Sequence, residues 1–323
     1  MPSLKTGDLT GTMRQRFFFC LLLCLVPAQT SLAAGPIWLL TSQAGGDYQH
    51  VADAFVQRLA GTEQTRTAVR VINVENETDT LALDMHGPRP GLIVAIGSAA
   101  ARLAVAAPRT VPVLDILIPR LFYEQLPPAG NMRSALYIDQ PFERQLKLCR
   151  LIVPDLRRLA VLYGPTSQSV DRDLRRAAQR AGITLTAQHV TAGSNPNAAL
   201  EQVLDASQLL LALPDPAVFT RYTVAGLLLT AYHHAAPVIG FSAAYVKAGA
   251  LAAVYSTPEQ IGRDAAEMVL AARTKTGWTL PAPRYPTYYN VAVNRQVGRS
   301  LGLKLPDDAE LQQALAHREQ APQ

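Results

Sequence analysis

The chain has 323 residues, three cysteines and a formal net charge of +5. A charge this small excludes a partner held by bulk electrostatics, so nucleic acid and other polyanionic surfaces are not expected. The length suits two α/β units of ordinary domain size behind a short leader.

The leader comes first. Arg14 and Arg16 precede an apolar run over residues 17–26, then Pro27, then Ser31-Leu32-Ala33. This charged, apolar, small-residue order is that of a secretory signal peptide cleaved after Ala33, and it implies export. Met13 is an alternative start, because the residues before it add nothing to the signal. The apolar run falls short of the roughly 20 residues of a permanent membrane helix. Cys20 and Cys24 follow bulky Phe19 and Leu23, which argues against a lipid-attachment site. Removing residues 1–33 leaves a net +3 and one cysteine, Cys149, which cannot form an internal disulfide. Its neighbours are apolar at helical spacing, so it reads as a small core residue and not a reactive thiol.

From residue 34 onward strand and helix signals alternate, the pattern of parallel sheets covered by helices. Strands are predicted at 37–40, 69–74, 92–96, 111–117 and 134–138. A helix after the first strand carries Val51, Ala54, Phe55 and Leu59 on one face, and another is predicted over 99–106. Asp139-Gln140-Pro141 reads as a crossover to a second unit. There, helices at 142–151, 167–180, 196–204 and 218–234 alternate with strands at 159–163, 184–190 and 208–213. The last part brings a strand at 237–239, a short helix at 241–247, a strand at 250–255 and a helix at 258–273. A Pro-rich run leads to a strand at 288–293 and a helix at 294–301. The polar tail after Pro306 is expected to fray.

The residues that bear on function sit where strands end. In open α/β sheets small ligands bind outside the carboxyl ends of strands. Ser98 and Ala99 begin a helix after a buried strand, where backbone N–H groups and the helix dipole suit an anion; alternatively Ser98 merely caps that helix. Ser42 and Gln43 occupy the equivalent loop after the first strand. Asp215 follows the strand 208–213 between Pro214 and Pro216, which stiffen its loop; it reads either as a ligand-facing acid or as a turn-making residue. Ser242 and Tyr245 follow the strand that ends at Gly240. Tyr123, with Phe122, supplies an aromatic wall or lid packing, and Arg120 a charge. Tyr285, Tyr288 and Tyr289 line a hinge or fill core.

Catalysis has one foothold. Gly240-Phe241-Ser242-Ala243-Ala244 comes near the G-x-S-x-G elbow, which makes a secreted serine hydrolase using Ser242 the enzymatic alternative. That fold needs an Asp and a His downstream, and the only later histidine is His317, in the tail. His233 and His234 point about 100° apart on a helix and make no shared metal site. His50 and His86 stand alone. No dinucleotide, phosphate-loop, zinc, EF-hand or iron–sulfur spacing occurs, so no metal or cofactor is expected.

The run GFSAAYVKAGALAAVYSTPEQIGRDAAEMV (240–269), followed by LPAPRYPTYYNVAVNRQVGRSLGL (280–303), resembles the periplasmic substrate-binding proteins of one ABC-transporter family, whose members include binders of aromatic amino acids. The resemblance covers most of the mature chain and is most specific from Leu209 to Leu303. It implies an α/β, two-lobed fold of the type I periplasmic-binding kind, each lobe a mostly parallel sheet flanked by helices. Lobe one would comprise 34–139 and 256–306, lobe two 140–255, with 307–323 a flexible tail. It further implies a monomeric, non-enzymatic protein that closes by a hinge on a small molecule and hands it to a membrane permease. A periplasmic sensor that docks on a receptor or kinase would use the same clamp. In the family an acid in a Pro-x-Asp pattern lies at the cleft. Here Pro214-Asp215 lacks the intervening residue.

Overall fold

Buried strands of Val, Ile and Leu need a helix on each face, and each return helix forces the next strand to run parallel. The computed structural model describes residues 35–61, 67–75 and 89–320. The expected leader, with Cys20, Cys24 and the alternative start at Met13, lies outside the described residues, as does His86. The first half holds β1 (Ile37–Thr41), α1 (Gly46–Ala60), β2 (Val69–Asn73), β3 (Leu92–Ile96), α2 (Ser98–Leu103), β4 (Val113–Ile118), α3 (Arg120–Glu124) and β5 (Arg133–Tyr137). Its five strands lie in the order β2-β1-β3-β4-β5, and every pairing is parallel. β1 and β3 are buried along their whole length, as unbroken apolar runs covered on both faces should be.

The second half continues through α4 (Phe142–Ile152), β6 (Arg158–Tyr163), α5 (Asp171–Arg180), β7 (Thr184–His189), α6 (Pro196–Leu204), β8 (Leu209–Leu211), α7 (Val224–His233), β9 (Val238–Gly240), α8 (Ala243–Ala248) and β10 (Ala252–Tyr255). Then come α9 (Pro258–Ala272), β11 (Asn290–Val293), α10 (Arg295–Ser300) and α11 (Asp308–Gln320). Its six strands lie in the order β11-β10-β9-β8-β6-β7, and only β11 is antiparallel to its neighbour. The two-sheet α/β architecture is therefore the one expected.

Helix α9 belongs to the first half. Thr257 and Gln260 form a reciprocal capping box at its start, with Pro258 in the first turn. Ile261, Ala265, Met268 and Val269 pack with Val51, Phe55 and Leu59 of α1 against the first sheet. Gly262 permits this approach, because a Cβ there would run into the Val51 carbonyl oxygen and the Cβ of Ala54. Residues 284–287 stay with the first half as well. Arg284 exchanges backbone hydrogen bonds with Ala135 and Tyr137 at the edge of β5.

Three segments depart from the sequence expectations. Residues 256–306 do not all return to the first half, since β11 pairs with β10 in the second sheet. The tail is not frayed up to Gln320: α11 places Leu311 and Leu315 in the second core, at 1% and 0% exposure. Helix α7 starts six residues late. Thr220 Oγ1 accepts from the Tyr222 and Thr223 amides, and Thr223 Oγ1 donates to the Val218 carbonyl at 2.6 Å. These side-chain bonds give the backbone an alternative to helix. Cys149 is fully buried, and burial pushes its thiol up to about 12.

One ion pair lies inside the first core. Arg133 Nε donates to Asp115 Oδ2 at 2.6 Å and its Nη2 to the Ala101 carbonyl at 2.8 Å. Burial pushes the Asp115 carboxyl up to about 6, against the pull of Arg133. The folded chain thus holds this proton more tightly than the unfolded chain. The stability that follows is present below the unfolded value of 3.8 and is lost as pH rises through about 6. Asp115→Asn should flatten that decline in urea unfolding midpoints taken between pH 4 and 7. It should also cost about 3 kcal/mol at neutral pH, because Arg133 is left buried without a counter-charge.

Candidate functional site

Both sheets present their carboxyl ends to the same junction, for a topological reason. β5 leaves the first sheet at its carboxyl end and enters α4, which runs back to the start of β6. α4 therefore begins beside the carboxyl ends of the second sheet. β10 leaves the second sheet in the same way and enters α9, whose start lies near that of α1, with His50 Nδ1 3.5 Å from Glu259 Oε1. The carboxyl ends of both sheets thus lie toward the crossovers at 138–141, 255–257 and 284–289, and the Arg120–Asp173 pair links the region after β4 to that after β6.

From the first half, Ser42 is wired inward. Its hydroxyl donates to the Ile96 carbonyl at 2.8 Å and accepts from the Ala100 amide at 3.0 Å, which ties the β1 loop to the first turn of α2. Gly97 completes this joint: its φ is 86°, and a Cβ would lie 2.5 Å from the Tyr48 ring and 2.7 Å from the Ser42 oxygen. Gly97 and not Ser98 stands at the cap position, so Ser98 is half-buried with its hydroxyl unbonded among the described residues, beside exposed Ala99 and Gln43. Helix α2 is six residues long, which leaves little dipole for an anion.

Around β4 and β5 the side chains become aromatic. Tyr123 donates its hydroxyl to the Arg133 carbonyl at 3.2 Å and packs edge-on against Tyr137, which meets Tyr285 edge-on at 5.3 Å. The Tyr137 and Tyr285 hydroxyls have no protein partner among the described residues, and burial pushes each up to about 12. Asp139 of the first crossover accepts from the Arg120 amide and so starts α3. The Arg120 side chain reaches across to the second half, with Nη2 2.7 Å from Asp173 Oδ2 on α5.

From the second half, Asp215 is 3% exposed, and its carboxylate accepts from three backbone amides: Ser167 at 2.7 Å, Ala217 at 2.9 Å and Thr166 at 3.1 Å. These use most of the roughly four acceptor positions a carboxylate offers, and they lock the β6 loop to the β8 loop. Gly164 makes room for the group, since a Cβ there would overlap it. Ser242 caps α8, its oxygen 3.4 Å from the Tyr245 amide. The Tyr245 ring lies 4.3 Å from Phe241 and 6.1 Å from Phe219, and its buried hydroxyl has no partner among the described residues; burial pushes it up to about 12. No group of His, Cys, Asp and Glu among the described residues is arranged to hold a metal ion.

The expected residues lie at the strand ends of their own halves and fall into two kinds. Ser98, Ala99, Gln43 and the Phe241–Tyr245 pair present surface or unspent groups. Ser42, Asp215, Tyr123 and Ser242 are spent on positioning the loops. Tyr48 in the first turn of α1, Tyr137 at the end of β5 and Phe219 in the loop after β8 adjoin these residues and went unpredicted as site residues. Tyr137 was legible as the last residue of a strand, whereas Phe219 was masked by the overlong helix expected from 218. A shallow apolar hollow of about 280 Å³ lies elsewhere, lined by Leu228, Leu229, Tyr232, Val238, Val297 and Leu301, beside the amino end of β9.

The sequence profile of the ABC transporter substrate binding protein family matches residues 60–275. The chain belongs to this family. Solved structures agree on the fold. A substrate-binding protein with adhesive properties from Clostridium difficile, in its ligand-free, open form, is similar with a TM-score of 0.66 at 18% identity, over 85% of this chain and 97% of that one. An ABC domain from Streptococcus pneumonia in complex with L-Trp is similar with a TM-score of 0.58 at 16% identity, over 87% and 98%. A conserved domain protein from Vibrio cholerae gives 0.56 at 20% identity, over 88% and 98%. No curated protein sequence matches the chain.

For this family member, Asp215→Ala should lower stability by about 2 kcal/mol in denaturant titrations, the cost of unpairing backbone amides from a buried charged acceptor. Hydrogen exchange should rise at Thr166 and Ser167, the two amides it holds across the loops. A variant as stable as the parent would contradict the locking role.

Proposed function

We propose that this family member is the solute-binding component of an ABC-type uptake system. It would take a small molecule into the junction between its two halves, close on it by bending at the three crossovers, and release it unaltered to a membrane permease. The observation that supports this reading is a pair of separate sheets, each with its carboxyl ends toward the crossovers at 138–141, 255–257 and 284–289. Such loops are the usual place of ligands in open α/β sheets, and hinged halves around them are a usual means of capture.

The ligand surface we assign comprises Gln43, Ser98 and Ala99 with Tyr137 and Tyr285 from the first half, and Phe241 and Tyr245 from the second. The unspent hydroxyls of Ser98, Tyr137 and Tyr285 supply hydrogen bonds, and the aromatic rings supply apolar area. This favours a modest polar molecule with an apolar part, such as an amino acid. Ser42, Asp215, Tyr123 and Ser242 act behind this surface by holding the loops. The Ser242 oxygen serves as a helix cap, which is a structural use of the one serine that the hydrolase reading needs. The lobes we assign are joined at the three crossovers, with β11, α10 and α11 in the second. The apolar segment ahead of residue 34 is read as the export signal, which places the mature protein in the periplasm.

A thermal-shift screen over amino acids, nucleobases and small organic acids tests this reading. A ligand at about 100 times its Kd should add about 2.7 kcal/mol of stability. Ser98→Ala and Tyr245→Ala should each weaken a hit by about tenfold, the loss of roughly 1.4 kcal/mol of contact. A hit that neither change affects would put the ligand elsewhere, and a turnover product lost in Ser242→Ala would make the protein an enzyme.

A further inference from the structure

The hinge is not three free linkers. It is gathered into one hydrogen-bonded hub around Arg144, the third residue of α4, which is 8% exposed. Arg144 Nη1 donates to Gln140 Oε1 at 2.7 Å in the first crossover and to the Pro286 carbonyl at 3.0 Å in the third. Its guanidinium lies 4.0 Å above the Tyr289 ring. Gln140 passes the connection on, its Nε2 donating to Ser256 Oγ at 2.9 Å in the second crossover. Ser256 Oγ in turn donates to the Tyr288 carbonyl at 2.6 Å, which returns to the third. The remaining face of Arg144 is taken by the far end of the chain, with Nε donating to Glu319 Oε1 of α11 at 2.8 Å. Gln312 of α11 adds a bond from Nε2 to the Tyr289 carbonyl at 2.8 Å.

We propose that α11 is a hinge brace: through Glu319 and Arg144 it holds all three crossovers in one arrangement and so sets the resting angle between the halves. A charged hydrogen bond to a buried guanidinium is among the stronger side-chain links, and this one joins the hinge to a helix anchored in the second core by Leu311 and Leu315. Glu319 also touches the ring that stacks under Arg144. The Tyr289 hydroxyl faces the Glu319 carboxylate, and Gln312 Oε1 is buried beside it without a hydrogen-bond partner among the described residues. The brace rests on the hinge-closing reading above and deepens it.

The experiment is hydrogen–deuterium exchange on the full chain without ligand, comparing the parent with Glu319→Gln and with Lys147→Ala. Lys147 Nζ donates to the Arg318 carbonyl at 2.9 Å, so its loss loosens the same end of α11 without touching the hub. Glu319→Gln should raise exchange about fivefold in peptides covering all three crossovers while the strands of both sheets stay protected. Lys147→Ala should raise it in α11 alone. A rise confined to α11 in Glu319→Gln, an identical pattern in the two variants, or a uniform rise across both sheets would each overturn the brace. None of these outcomes involves a ligand, so failure of the screen above and failure of the brace are distinguishable.

Discussion

Asp264 is almost fully buried on α9, and it is the acceptor around which the third crossover is built. Arg284 clamps its two oxygens and the Thr287 amide donates to it at 2.7 Å. An unpaired carboxylate at this depth would carry a heavy desolvation cost, so the residues that satisfy it are held in place as firmly as the helix itself. One residue pair away, the backbone contact at Gly262 fixes that helix on α1. The segment leading to β11 therefore starts from a rigid point in the first half before it reaches the second sheet. The facing of the two sets of loops depends on that anchorage.

Given the anchorage, the loops divide the labour. Most polar groups that look functional at strand ends hold one loop against another. Asp215 ties the β6 and β8 loops, Ser42 ties β1 to α2, and Asp139 starts α3. Preorganisation of this kind lowers the ordering cost of capture, because loops already fixed by internal bonds need not be fixed by the ligand. The groups left for a solute are those that the internal network passes over, chiefly hydroxyls and aromatic faces.

Much of the fold was legible because parallel strands buried on both faces read as apolar runs. The clearest such runs, 37–40, 92–96, 159–163 and 208–213, all fall on strands, whereas the edge strands β2 and β7 are mixed in sequence and largely open to solvent or half-buried. The start of α9 was legible at residue 258, where the structure shows the Thr257–Gln260 capping box and Pro258 in the first turn. What failed did so for physical reasons. Thr220 and Thr223 divert the backbone ahead of α7 by local side-chain bonds that periodicity does not see. The tail looked unable to order itself because only Leu311 and Leu315 among its many polar residues reach core. The assignment of β11 failed because a four-residue strand carries no sign of which sheet it will join. At the candidate site, positions at strand ends were readable, but whether a side chain faces a solute or the neighbouring loop depends on contacts distant in sequence. Asp215 and Thr166, 49 positions apart, are the clearest case.

The antiparallel edge strand β11 bears on how the molecule is assembled. The first half is completed only by α9 and the stretch through Thr287, and the second only by β11 and α11 behind them. Neither half is a continuous piece of chain, so neither has its full edge until most of the polypeptide is available. The two halves are interleaved in the order of synthesis, and each must wait, partly formed, for residues that lie beyond the other.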